Sequence, residues 1–313
     1  MAVLVDHSGM PLGQRPPGPR EVDAQLRFRA VLREGAPATP PTWDFTFGMP
    51  IGWDALGNNS WGCCALAAAG HYLMAWSNSH GGLVHNGANC ILQMYHETEG
   101  FAWTHATDFG SNGLRVLSQW RKVGMPLIAY APPPLVVPTI DPATGKQAVD
   151  PATGKPLTHQ VQQAPPYVVQ SRDRIRAYMG FGYGGWRDHA LVAQAGYMTG
   201  GLMIGMSMPL AWQKMAVWDA PTPAQAAAGG SWRYASWGGH EVYVVAINDV
   251  GPVVITWGNK KQMTWAGFDY ALNECSVAVS ENWVDPVTLR APSGLDMDAI
   301  DAYLATVGTP VVS

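Results

Sequence analysis

NNSWGCCALAAAGHYLMAW, residues Asn58–Trp76, runs from a polar, glycine-containing loop into a stretch rich in alanine with no proline. That composition predicts a helix over Ala65–Trp76. Two adjacent cysteines, Cys63 and Cys64, stand at its entry. A thiol attacks only as thiolate. Free cysteine has a pKa of about 8.5, and a helix N-terminus with a nearby imidazolium lowers it by several units. Cys64 is the better placed of the two, because the helix proper begins at Ala65. Backbone N–H groups at the same point suit a developing oxyanion. Asn58 and Asn59 add side-chain donors in the loop before it. Against this stands the plainer reading of both cysteines as small core residues, which suits Cys63.

The chain has 313 residues, enough for one large domain or two modest ones. Its 14 tryptophans and low charge favour a loop-rich globular protein with large aromatic anchors over a disordered chain. The net charge is −4, and lysine and arginine do not cluster, so nucleic acid is not an expected partner. No apolar stretch reaches the length of a membrane span, so no membrane partner is expected either. The first residues lack the basic start and apolar run of a secretory signal, so a cytoplasmic location is expected. Four cysteines do not make a disulfide framework. Cys63 and Cys64 are too close in sequence to pair comfortably, and a Cys90–Cys275 bridge would depend on the fold. His80, His85, His96 and His105 lack ligand spacing, so neither zinc nor any other cofactor is expected.

Residues 1–42 are rich in proline and arginine and read as an N-terminal arm, with one short helix around Val22–Arg33. Further helices are expected over Ala88–Glu97, Gly113–Val123 (Leu114, Leu117 and Trp120 at helical spacing) and Asp188–Met198. Residues 131–166 are proline-rich and contain DPATGK twice, at Asp141 and Asp150. Each DPATG reads as a turn, so this segment is expected to be a hairpin-like insertion. GGLMIGMSMP reads as a buried strand, and HEVYVVAIND, VVITWG and CSVAVSENW as three more. Helices precede strands, which predicts an α+β domain over 43–285 with an antiparallel sheet. Residues 286–313 form a C-terminal extension.

A cysteine nucleophile needs a base on a separate element. His240 begins an apolar strand after Gly238 and Gly239, and two glycines allow another chain to approach closely. Helix-leading Cys64, Gly-Gly-His240 and Trp257-Gly258 on the next strand together resemble the papain-like cysteine peptidases. The similarity is greatest to phage and bacterial proteins of that fold, of the bacteriocin-processing type. It extends to Gly57-Asn58, Gly62-Cys63-Cys64, His71 and Thr264, and spans Trp43–Val284.

The resemblance implies a two-part fold, with the nucleophile on a helical part and the base on a β part. It implies Cys64 as nucleophile and His240 as base. Asn58, six residues before Cys64, stands where the family has an oxyanion-hole glutamine. The family's imidazole-orienting asparagine is replaced by Ile255, which leaves Thr256 or Asn259. Asn259 is preferred here, because on a strand it shares a face with Trp257. His71 reads as a packed histidine and Trp257 as cover for the base. The expected activity is hydrolysis of a peptide or related amide through a thioester; acyl transfer is the close variant. The alternative is a non-enzymatic scaffold, such as a virion component, with assembly partners in place of a substrate.

Overall fold

The computed structural model describes residues 7–17, 26–27, 38–46, 49, 52–79, 83–130, 135–139, 147–161, 166–181, 184–280 and 283. Its helices are α1 (Cys64–Ser79), α2 (Ala88–Glu99), α3 (Gly113–Lys122), α4 (His189–Thr199), α5 (Pro223–Ala228) and α6 (Trp265–Ala271). Its strands are β1 (Leu26–Arg27), β2 (Trp43–Asp44), β3 (Met125–Tyr130), β4 (Leu135–Pro138), β5 (Thr158–Val161), β6 (Val168–Asp173) and β7 (Ala177–Gly180). They continue with β8 (Leu202–Met208), β9 (Val217–Trp218), β10 (Gly238–Ile247), β11 (Pro252–Thr256), β12 (Asn259–Met263) and β13 (Leu272–Val279).

Helix α1 is buried on all sides from Cys64 to Ser77. Its alanines explain how: small side chains let a helix sit tightly against a sheet, and a helix apolar all round belongs in a core. Two polar tips pin it. Tyr72 donates from its hydroxyl to the Gly201 carbonyl at 2.6 Å, and Trp76 donates from Nε1 to the Thr199 carbonyl at 2.7 Å. Both acceptors lie where α4 ends at left-handed Gly200 and β8 begins. Helix α3 starts at Asn112, whose side chain accepts from the Arg115 N–H, a standard N-cap.

The main sheet has the order β1-β7-β13-β8-β10-β11-β12-β9, with β2 paired to β10. Its interior pairings are antiparallel, as the strand pattern predicts. The short edge strands β1 and β9 pair in parallel with β7 and β12, so the sheet is mixed. One face of the sheet packs against α1, α2 and α3 around Tyr72, Trp76 and Trp120. The other packs against α4 and α6 around Trp212, Trp218 and Phe268. Alternation along β10 sorts its residues, with Tyr243 and Val245 on the first face and Val242 and Val244 on the second.

The insertion holds an antiparallel pair, β4 with β5, separate from the main sheet. Its second DPATG is a turn: the Asp150 carboxylate accepts from the Ala152 and Thr153 N–H groups, and the Gly154 N–H returns to the Asp150 carbonyl. The first DPATG lies outside the described residues. Of the helix expected at Val22–Arg33, only Leu26–Arg27 are described, and they form strand β1 instead, drawn into the edge of β7. The C-terminal extension lies outside the described residues.

Candidate active site

Cys64 is the first residue of α1 and is 1% exposed. Burial pushes its thiol up to about 12. The Glu241 carboxylate also disfavours the thiolate, while N–H groups of Glu241, Gly13 and Ala65 pull the other way. Three backbone donors at one sulfur make a favourable anion environment, but desolvation outweighs them. Gly62, two residues earlier, is held by Asp108, whose two oxygens each accept its N–H at 3.0 Å. Tyr95 donates to the same carboxylate at 2.8 Å. Cys63 points into the core beside Leu56, and burial raises its thiol well above the ordinary value.

His240 lies on β10 and is 1% exposed. Its Nε2 meets Thr256 Oγ1 at 2.8 Å, and its ring stacks on Trp257 at 4.3 Å with an 11° tilt. Nδ1 has no hydrogen-bond partner, so Cys64 and His240 are not hydrogen-bonded in this state. Burial lowers the imidazole to about 3, and the neighbouring His7 adds to the effect. A neutral ring with its proton on Nε2, donated to Thr256, leaves Nδ1 free to accept one.

Trp257 reaches this position through a turn. Trp257 and Gly258 connect Thr256 to its cross-strand partner Asn259, with φ of 45° and 77°. A two-residue hairpin with both central φ positive is a type I′ turn, usually built from Asn-Gly. A tryptophan there is strained. The turn also explains Asn259. Residues in a turn do not follow strand alternation, so Asn259 does not share a strand face with Trp257. Its amide donates to the Trp257 carbonyl, and the imidazole partner is Thr256. Asn58 is buried in the loop before α1, where its amide donates to the Trp61 carbonyl at 2.9 Å. His71 meets the Asp54 carbonyl through Nε2 at 2.7 Å, and burial lowers it to about 4.

The cleft between the two parts is filled by the protein's own arm. The Ser111 N–H donates to the Gly13 carbonyl, and the Arg15 N–H donates to the Ser111 carbonyl, both at 2.8 Å. From the β10 side, the Gly239 carbonyl accepts the Gln14 N–H at 3.0 Å. Arg15 continues the clamp with an ion pair to Glu99 at 2.5 Å. The contacts admit only glycine at key points. A Cβ on Gly239 would fall 2.1 Å from the Gln14 carbonyl oxygen, and one on Gly110 would fall 1.9 Å from that of Gly13. Further back, buried His7 lies 4.7 Å from Trp257.

Gly13, Gln14, His7 and Glu241 are the residues that sequence reasoning missed. The arm's Leu-Gly-Gln between prolines offered only a weak signal. Glu241 offered a clearer one, a lone carboxylate in an otherwise apolar strand.

No protein-family model matches the chain, and no curated protein matches it by sequence. Solved structures do resemble it. Xylellain, a cysteine protease from Xylella fastidiosa, aligns at a TM-score of 0.55 with 14% identity, over 89% of this chain and 99% of that one. Procathepsin B S9 from Trypanosoma congolense gives 0.49 and 11% identity, covering 87% of each chain. Identities this low speak to fold alone. With Cys64 opening the first of the described helices and the mixed sheet forming the second half, the chain has the α+β fold of the papain-like cysteine proteases.

Proposed function

We propose that the protein is a thiol hydrolase acting on peptides or related amides, held latent by residues 7–17. Cys64 is the nucleophile and His240 the base, with Thr256 orienting the imidazole. Asn58 is a candidate oxyanion donor if its amide leaves the Trp61 carbonyl; the α1 N–H groups stand ready without rearrangement. The observation that carries this reading is a peptide backbone, that of Gly13-Gln14, hydrogen-bonded on both sides of the cleft with its N–H directed at the Cys64 sulfur. A surface that binds a peptide in extended form beside a thiol is what a peptide hydrolase requires. With the arm out, water and charge return to the cleft, the desolvation penalty on the thiolate falls, and Nδ1 can receive the thiol proton. Attack on a carbonyl then gives a thioester and a protonated leaving amine, and water drawn by the neutral imidazole hydrolyses the thioester.

The test is thiol alkylation and peptide hydrolysis by the full chain and by an arm-released variant. Cys64 should label faster after release, and hydrolysis should appear with it and vanish in Cys64→Ala. The second reading, a non-enzymatic scaffold such as a virion or assembly component, is favoured by the protonated thiol and the filled cleft. Slow, equal labelling of Cys64 and Cys90 after release would select it.

A further inference from the structure

Two loops of the helical part meet at one carboxylate. The first, before α1, leads into the nucleophile. The second joins α2 to α3 and carries Ser111, whose N–H and carbonyl bond the arm's backbone on either side of Gln14. Asp108, in the second loop, accepts the Gly62 N–H of the first with both oxygens at 3.0 Å. Its Oδ1 also accepts the Tyr95 hydroxyl at 2.8 Å, and the Tyr95 oxygen accepts the Gly110 N–H at 2.7 Å. Tyr95 is buried on α2 with its ring stacked on Phe101 at 4.6 Å and a 17° tilt, so its hydroxyl is held in one place.

The result is a short path from the thiol to the bound peptide. Gly62 lies two residues before Cys64, and Gly110 directly precedes Ser111. The Trp61–Gly62 peptide is held at both ends, since its N–H meets Asp108 and its carbonyl accepts the Asn58 amide. A trans peptide points these two groups in opposite directions, so it cannot turn without breaking both contacts. Among the described residues no strand pairing joins the two loops. All four cysteines are free, so no disulfide joins them either. The Trp61 ring adds side packing, against Phe101 and His105, each at 5.0 Å. A carboxylate suits the remaining task, because it only accepts and its charge-assisted bonds are about twice as strong as neutral ones.

We propose that Asp108 is a positioning residue, which fixes the register between the Cys64 sulfur and a peptide bound on Ser111. Reacting atoms must stand roughly 3–3.5 Å apart, and a misplacement of about 1 Å costs on the order of 100-fold in rate. Asp108 thus governs attack without touching the substrate. Asp108→Asn keeps the shape but turns an NH2 group against the Gly62 N–H, donor to donor, while its oxygen still serves Tyr95. Tyr95→Phe does the reverse: it frees Gly110 and leaves the Gly62 clamp. The catalytic consequence rests on the hydrolase reading above, whereas the register itself is read by binding and labelling.

The experiment uses the full chain carrying Gly13→Val, which drives the arm from the cleft because a Cβ there would meet the Gly62 carbonyl. A fluorescent peptide of residues 7–17 is supplied in trans. Polarisation reads its affinity, and iodoacetamide labelling of Cys64 reads how well it shields the sulfur. In Asp108→Asn the affinity should stay within about 3-fold of the parent, which also shows that the variant is folded, while shielding at saturating peptide should fall by roughly 10-fold or more. Asp108→Glu, which keeps the charge and lengthens the link, should lose shielding likewise. Tyr95→Phe should weaken peptide binding by roughly 3- to 10-fold and keep the shielding. Full shielding in either Asp108 variant, or affinity lost in step with shielding, overturns the proposal. In peptide hydrolysis Asp108→Asn should lower kcat with KM nearly held, and Tyr95→Phe should raise KM with kcat nearly held. A parent protein that is shielded by the peptide but hydrolyses none sinks the hydrolase reading and leaves the positioning role standing.

Discussion

Gly13 and Gly62 meet backbone to backbone: a Cβ on Gly13 would fall 1.8 Å from the Gly62 carbonyl oxygen. Gly62 cannot yield easily, because Asp108 holds its N–H with both oxygens. The arm must move instead. Gly13→Val should therefore raise the alkylation rate of Cys64 at pH 7.5 by roughly 10-fold or more, since burial is the main cause of the raised thiol pKa. Cys63 and Cys275, buried elsewhere, should stay slow in the same assay. Mass spectrometry of labelled peptides separates them. A Cys64 rate unchanged by the substitution would count against the arm as the occluding element.

Thr256 is the only hydrogen-bond partner of the His240 ring among the described residues. Thr256→Val keeps the shape and removes the oxygen. In the arm-released protein it should lower kcat/KM by roughly 10-fold or more, within the 10²–10⁴ that a positioned general base supplies. Thr256→Ser should restore most of the loss. Asn259→Ala, at a residue whose amide bonds the Trp257 carbonyl, should affect stability more than rate. The reverse ranking would return the orienting role to Asn259.

Stability should depend on acid in a direction set by two histidines. His240 falls to about 3 and His71 to about 4, both chiefly by burial. Each is neutral in the fold and binds a proton more readily unfolded. Their contribution is complete above the ordinary histidine value of 6.5 and is lost as pH falls from there toward 4 and 3. The thermal midpoint should drop by several degrees or more between pH 7 and pH 4. His71→Gln should flatten part of that slope.

Glu241 acts with the opposite sign. Burial and the nearby Glu274 raise its carboxyl well above the ordinary value, and the Gly113 N–H opposes this. Its contribution is complete below the ordinary carboxylate range and is lost as pH rises. Glu241→Gln keeps the shape and removes the charge. It should stabilise the protein at pH 7.5 by on the order of 1–3 kcal/mol in urea unfolding, with the gain shrinking toward pH 4. A loss of stability at pH 7.5 would mean that the Gly113 N–H outweighs the cost of burying the charge.

Local signals carried far in this chain. The alanine run after Cys64, the apolar strand after Gly239 and the spacing of Leu114, Leu117 and Trp120 each describe an element that folds as its composition demands. What stayed hidden depends on long-range pairing. Glu241, Gly205 and Glu274 become neighbours only through the order β10, β8, β13. Gly13 reaches Gly62 across a cleft that no local pattern marks. Strand alternation, which points to Asn259, does not carry through Trp257-Gly258, where the chain reverses, and the imidazole meets Thr256 instead. A tryptophan is an unusual residue for such a turn, so its side chain hid the turn that its glycine neighbour suggested.

That tryptophan has one more implication, for anyone improving the protein in the laboratory. Asparagine is the natural occupant of the first position in this turn, and Trp257→Asn would relieve the backbone at φ 45°. The indole, however, is the roof over the His240 ring. Trp257 is also buried in the core and packed against His7 and Trp237. The change would therefore lose more in packing than the turn regains, and would open a solvent window above the imidazole. The strained backbone is kept because the ring is needed where it is.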